Sequence, residues 1–190
     1  MRVISGKYKN KDIPFGNEKF DNANATPQKI KKAVFSILGE DLEGKSFLDL
    51  YACSGQMGIE ALSRGAEFVV FNEIDKKRFH FIKSVIDALK DDAAHILGFH
   101  SFRCMRYCAS KEYKFDCIFI DAPYLRDKNN TELYEEILSE LRKYDILKKD
   151  GKIIIQHLSN VRLNIESLDF KYSGTKRYAK NSLSIFIKTE

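Results

Sequence analysis

Two short segments carry the residue types from which group-transfer chemistry is built. The first is Asp121-Ala122-Pro123-Tyr124, which closes the apolar run 115–120. A carboxylate, a main-chain carbonyl and an aromatic ring at a strand end can hold a planar amine. Asp121 and the Ala122 carbonyl would each accept one amino hydrogen, Pro123 would stiffen the turn, and Tyr124 would stack on the ring that bears the amine. The nitrogen lone pair is then aimed at an electrophile. The second segment, Asp49 to Gly58 (DLYACSGQMG), follows the end of an apolar run and leads into a helical pattern. Its small residues allow a tight turn and let a nucleotide-like ligand approach the main chain. Glu73, 18 residues after Gly55, ends a second apolar run at a place where an acidic side chain can receive two ribose hydroxyls. Cys53 stands where a dinucleotide fingerprint has its first glycine, and no GxxxxGK[ST] is present, so a nucleoside triphosphate is not expected.

These residues need elements to place them. Continuous apolar runs at 47–51, 68–72, 115–120 and 152–156 predict strands buried on both faces, hence a parallel sheet covered by helices. Between them, helical spacing predicts helices over 57–64, with Gly65 as the stop, over 76–90 and over 131–144. That alternation gives a doubly wound α/β fold. At the amino end, 2–15 read as a β-hairpin or arm and 25–39 as a helix with Thr26 as N-cap and Pro27 at the first helical position. At the carboxyl end, 167–175 and 182–188 predict an antiparallel hairpin at one sheet edge. The expected division is an extension over 1–40 and a catalytic body over 41–190.

A chain of 190 residues is long enough to bury roughly 70% of its unfolded surface in one core. Its formal net charge of +5 is mild, but it is unevenly placed. Residues 1–32 hold eight basic side chains against three acidic ones, residues 171–190 hold five against one, and the stretch between them carries −4. A basic arm holding Arg2, Lys7, Lys9 and Lys11, continued by Lys29, Lys31 and Lys32, suits a polyanion, with RNA phosphates the natural partner. No run of 18 apolar residues and no signal-like start occur, so a cytoplasmic protein with reduced cysteines is expected. His95, His100, Cys104 and Cys108 fall within fourteen residues but lack the CxxC spacing of a zinc knuckle, and no metal is expected.

The order of glycine-containing loop, acidic strand end and DPPY-like tetrapeptide resembles the amino-group methyltransferases of the Rossmann-like class. More narrowly it resembles the RsmD family, bacterial enzymes that methylate the N2 amine of a guanine in 16S ribosomal RNA. The family's start, MR(I/V)I(S/A)G, is similar to Met1–Lys7; its loop DLFAGSGxLGxEALSRGA to DLYACSGQMGIEALSRGA at 49–66; and its FDxIFxDPPY to FDCIFIDAPY at 115–124. The resemblance implies a mostly parallel Rossmann-like sheet with an antiparallel edge hairpin. It implies S-adenosyl-L-methionine (AdoMet) held by Asp49, Tyr51, Ala52, Cys53, Ser54, Gly55, Glu73 and Ile74, and a target amine held by Asp121 to Tyr124. The partner it implies is 16S ribosomal RNA or an assembling small subunit, met by a monomer. The chain departs from the family pattern at Ala122 and Cys53, at Asn24-Ala25-Thr26 in place of RPT, and at Lys32 in place of glutamate. An acidic residue expected to meet the adenine near 103–106 is also missing. Two other readings fit the same motifs: a DNA adenine-N6 methyltransferase, and a non-catalytic RNA-binding assembly protein that has kept the fold.

Overall fold

Apolar runs without alternation become the middle of a seven-stranded sheet. The computed structural model describes residues 1–15, 26–123, 130–163 and 170–189. In chain order the elements are α1 (Gln28–Leu38), β1 (Ser46–Asp49), α2 (Gln56–Ser63), β2 (Phe68–Asn72), α3 (Lys76–Leu89), β3 (Ala94–Leu97), α4 (Ser101–Ser110), β4 (Phe115–Ile120), α5 (Asn130–Tyr144), β5 (Leu147–Leu158), β6 (Lys171–Tyr178) and β7 (Asn181–Ile187). The strand order is β3-β2-β1-β4-β5-β7-β6. The first five strands are parallel, and β7 lies antiparallel between β5 and β6.

Successive side chains along each strand enter opposite cores. Phe47, Phe71, Phe119, Ile154 and Leu183 pack with Ile30, Val34, Met57 and Ile82 on the side of α1, α2 and α3. Leu48, Val70, Ile118, Ile120 and Ile155 pack with Cys104, Cys108, Ile137 and Leu141 on the side of α4 and α5. Burial on both faces is why the central strands show no period of two. Val3 and Ile13 lie in the first of these clusters, so residues 1–13 share a core with the body that follows.

The sequence-based expectations shift in three places. The expected hairpin or arm over 2–15 is a short hairpin around one bridge, Arg2 to Asp12, with Ile13 N donating to Met1 O at 2.7 Å, Val3 N to Lys11 O at 3.1 Å and Asn10 N to Val3 O at 3.0 Å. Its other amides reach the body: Ile4 and Ser5 donate to the buried carboxylate of Glu60 at 2.9 and 3.0 Å, and Lys7 to the Ser63 carbonyl at 2.7 Å. Gly6 makes this possible, since a Cβ there would sit 1.6 Å from the Ser63 oxygen and its φ is +81°. β3 and α4 were not read in advance: β3 is a four-residue, partly exposed strand, and the regular apolar stripe of α4 is built from Cys104, Met105 and Cys108 rather than from aliphatic residues. In α4, Cys104 and Cys108 are apolar core residues one turn apart, while the His95 ring lies against Phe68 and Tyr113 and the His100 ring against Phe102. Positions 103–106, where an adenine contact was expected, fall inside α4; the loop that leaves β3 is 98–100. Finally, β6 runs through the basic residues Lys176 and Arg177 to Tyr178, beyond the expected end at 175, and residues 167–169 lie outside the described residues.

Candidate active site at the carboxyl ends of the strands

Helices α2 and α3 start at the carboxyl ends of β1 and β2 and run back toward their amino ends, so the loops Asp49–Gly55 and Glu73–Asp75 open on one end of the sheet. Parallel neighbours bring a third loop to the same end: Asp49 pairs with Phe119, two residues before Asp121. The loop-motif residues, Glu73 and Asp121 therefore converge.

The loop is held from behind. Ala52 N donates to Asn72 O at 2.9 Å, Gly55 N to Ala52 O at 2.6 Å, and Cys53 N to the Glu73 carboxylate at 2.8 Å. Cys53 and Gly55 both take left-handed φ, +50° and +73°. Gly58 lets α2 approach β2, because a Cβ there would lie 2.2 Å from the Phe71 ring. Asn72 was not read from the sequence, yet its amide donates to Leu50 O and Phe99 O at 3.1 and 2.9 Å and accepts from Phe99 N at 3.1 Å. One side chain thus fixes the end of β1 and the 98–100 loop together. No local signal marks it, because its partners are 22 and 27 residues away.

Three carboxylates meet with little compensating charge. Asp49 is buried; desolvation pushes its carboxyl up to about 7, the charges of Asp121 and Glu73 add to the push, and a 3.2 Å hydrogen bond from Gly58 N opposes it. Burial likewise pushes Asp121 up to about 7 against a hydrogen bond from the Thr26 hydroxyl at 3.2 Å. Glu73 accepts from Asp75 N at 2.8 Å as well as from Cys53 N, and Arg78 stands 3.3 Å from it. Each of its oxygens keeps a second lone pair, sufficient for two ribose hydroxyls. Ile74, beside it, is 60% exposed, an apolar rim residue that a flat ring can cover. Burial pushes the Cys53 thiol up to about 11, so it stays protonated at neutral pH and is no nucleophile. A cationic ligand carrying a ribose and a base fits this donor set.

Thr26 does not cap α1. The cap position is Pro27, which contributes no side-chain bond, and Thr26 instead joins the site through Asp121 while its carbonyl accepts from Gln56 Nε2 at 2.8 Å. Tyr51, Ala52, Ser54, Ala122 and Pro123 stand at this end of the sheet; Tyr124 lies outside the described residues. The expected RNA contacts divide. Lys29 and Lys32 are exposed near the start of α1, at the site's end of the sheet. Lys31 is not a surface group: it is 1% exposed, 3.1 Å from Glu60, and donates to Arg2 O at 2.7 Å. Lys7 pairs with Asp91 at 2.9 Å beyond the end of α3, which carries the arm's turn with Lys9 and Lys11 to the opposite end of the sheet.

With this geometry established, comparison with known proteins decides the family. A family model described as conserved hypothetical protein 95 matches residues 1–187. The chain belongs to this family. Similar curated proteins include YlbH of Bacillus subtilis, provisionally named an rRNA methyltransferase, 31% identical over 99% of both chains. The ribosomal RNA small subunit methyltransferase D of Buchnera aphidicola (Baizongia pistaciae) is 31% identical over 82% of this chain and 75% of its own. Among solved structures, yhhF of Escherichia coli superposes with a TM-score of 0.82 at 21% identity, covering 100% of this chain and 98% of its own. SMU.776, solved complexed with SAH, gives 0.68 at 15% identity over 84% of this chain and 48% of its own. At these identities the structural likenesses establish the family's Rossmann-like fold.

Proposed function

We propose that this chain is an AdoMet-dependent methyltransferase acting on the N2 amine of a guanine in small-subunit ribosomal RNA, as a monomer in the cytoplasm. The observation that carries the reading is the convergence of Asp49, Glu73 and Asp121, with the Asp49 and Asp121 carboxyls both pushed up to about 7, beside the exposed Ile74. The names of the ribosomal relatives support the RNA class. When bound, AdoMet supplies a methyl group already activated on a sulfonium. The protein's work is then to position the amine and exclude water.

Asp121 and the Ala122 carbonyl accept the two amino hydrogens. As the nitrogen becomes positive, the Asp121 carboxylate stabilises it and can take the released proton, for which a pKa near 7 is well matched. Asp49 offers its charge to the methionine end of the cofactor and Glu73 its lone pairs to the ribose. Tyr124 would stack on the base, which must be turned out of its RNA stack to reach the strand end.

The phosphates flanking the target base meet Lys29 and Lys32 on α1 together with the tip of the β6–β7 hairpin. That tip is at the same end of the sheet, because Leu158, the last residue of β5, pairs with Asn181. Arg177 and Lys180 are exposed there. Calorimetry should show AdoMet binding, and labelled methyl should pass to small subunits lacking the modification and be recovered as N2-methylguanosine. Label recovered as N6-methyl-2′-deoxyadenosine when DNA is offered instead would replace this reading with the DNA one. Tight RNA binding without transfer would favour an assembly protein.

A further inference from the structure

A buried amide next to Asp121 has no use in the chemistry described so far. Gln156 is 3% exposed, and its Oε1 has no hydrogen-bond partner among the described residues. A buried acceptor left without a donor is destabilising, so its place here calls for a donor that arrives from outside.

Its position in the sheet says where that donor would come from. Strands β4 and β5 pair in parallel through Ile120 and Ile155, which sets Gln156 opposite Asp121 one rung further on. The two side chains share a face. Phe119 and Ile154, two residues before each, belong to the core under α1, and so does Leu183, the antiparallel partner of Gln156 on β7. Asp121 is seen on that face through its bond from Thr26. Adjacent strands are about 4.8 Å apart, so a base whose amine is held on β4 presents its neighbouring ring edge to β5.

Resting on the guanine-N2 reading above, we infer that Gln156 is a specificity-determining residue: its Oε1 accepts the N1–H of the target guanine while Asp121 and the Ala122 carbonyl hold the N2 amine. Guanine is the base that offers these two adjacent donors on its pairing edge. Adenine presents a bare N1 lone pair beside its amine, which would face the Gln156 oxygen across the same gap.

The test uses the full-length chain, labelled AdoMet and unmodified small ribosomal subunits. Gln156→Met keeps the length and apolar stem but removes the acceptor; Gln156→Glu keeps an acceptor. The expected result is a roughly ten- to hundredfold fall in kcat/KM for Gln156→Met, with the AdoMet dissociation constant and the melting temperature held or the latter raised, since an unpaired buried oxygen has been removed. Gln156→Glu should recover most of the loss, and RNA carrying N1-methylguanine at the target should be a poor substrate for the wild type. Wild-type kcat/KM in Gln156→Met overturns the inference. So does a fall that tracks lost AdoMet affinity or a lower melting temperature, which would make the side chain a part of the fold. A wild-type protein that transfers no methyl to these subunits overturns the underlying reading of the enzyme instead, so the two failures are distinct.

Discussion

The proposed methyl transfer asks Asp121 to do two things that oppose each other: sit where water is scarce, and carry a negative charge when an amine becomes positive. Burial resolves the conflict by holding its proton affinity near neutrality, where it can accept one hydrogen bond, neutralise a developing charge and take a proton in turn. Asp121→Ala should therefore lower methyl transfer by at least about a hundredfold while AdoMet affinity stays within a few-fold, measured by single-turnover transfer and calorimetry. Asp49 shares the same electrostatic condition, and the two together set a pH dependence of stability. Both carboxyls rise from 3.8 to about 7 on folding, so the stability they contribute is fully present below pH 4 and is lost as pH climbs through 7. Melting of the ligand-free protein between pH 6 and 8 should fall by roughly 5 °C from this source, and Asp49→Asn should remove about half of that fall. The charged residues of the proposed site stood out in the sequence because Asp49 and Asp121 belong to contiguous motifs and Glu73 ends an apolar run. Thr26, Asn72 and Gln156 did not, because what gives each its role lies far along the chain: Thr26 meets Asp121 95 residues on, and Gln156 stands beside it only through strand register.

At the scale of elements, the two-face burial that makes a parallel strand apolar throughout is what made β1, β2, β4 and β5 visible. β3 lacks it, since it is a partly exposed edge strand, and α4 hides its apolar face among aromatic and thiol side chains that resemble ligands. The amino-terminal arm shows a different limit. Its basic residues suggested an RNA-binding arm, and Glu60 on α2 pins it to the body: this buried carboxylate accepts from Ile4 and Ser5 amides and lies 3.1 Å from both Lys31 Nζ and Arg64 Nε. Burial lowers the Lys31 pKa, with Glu60 working against that shift, so the lysine's charge depends on the carboxylate. Among the described residues, Glu60→Ala would leave Lys31 buried without a countercharge, leave Arg64 with Glu40 as its only carboxylate, and strand two backbone donors at once. It should destabilise the protein by roughly 3–5 kcal/mol, read from denaturant unfolding, and expose residues 1–13 to protease before the body unfolds. An unchanged midpoint with an intact arm would mean that the apolar contacts of Val3 and Ile13 hold the arm unaided.

Over the whole molecule, the +5 charge sorts into two basic regions that do not act together. The arm's turn, with Lys7, Lys9 and Lys11, sits beyond the ends of α2 and α3, at the amino ends of the strands, whereas Asp121 lies at their carboxyl ends. Lys29 and Lys32 on α1 and Arg177 and Lys180 on the hairpin flank the site across its own end of the sheet. Phosphate contacts act within about a Debye length, roughly 8 Å at physiological salt, so the pair of surfaces next to the target base dominates the binding of any RNA that presents that base to Asp121. Charge reversal separates the two regions. Lys29→Glu, Lys32→Glu, Arg177→Glu and Lys180→Glu combined should weaken binding of small-subunit RNA by about ten- to a hundredfold and flatten the slope of log K against log salt. Lys9→Glu with Lys11→Glu should shift it by no more than a few-fold, with nearly the full salt slope kept. The reverse ranking, measured by filter binding across a salt series, would place the RNA along the arm and require a substrate that wraps from one end of the sheet to the other.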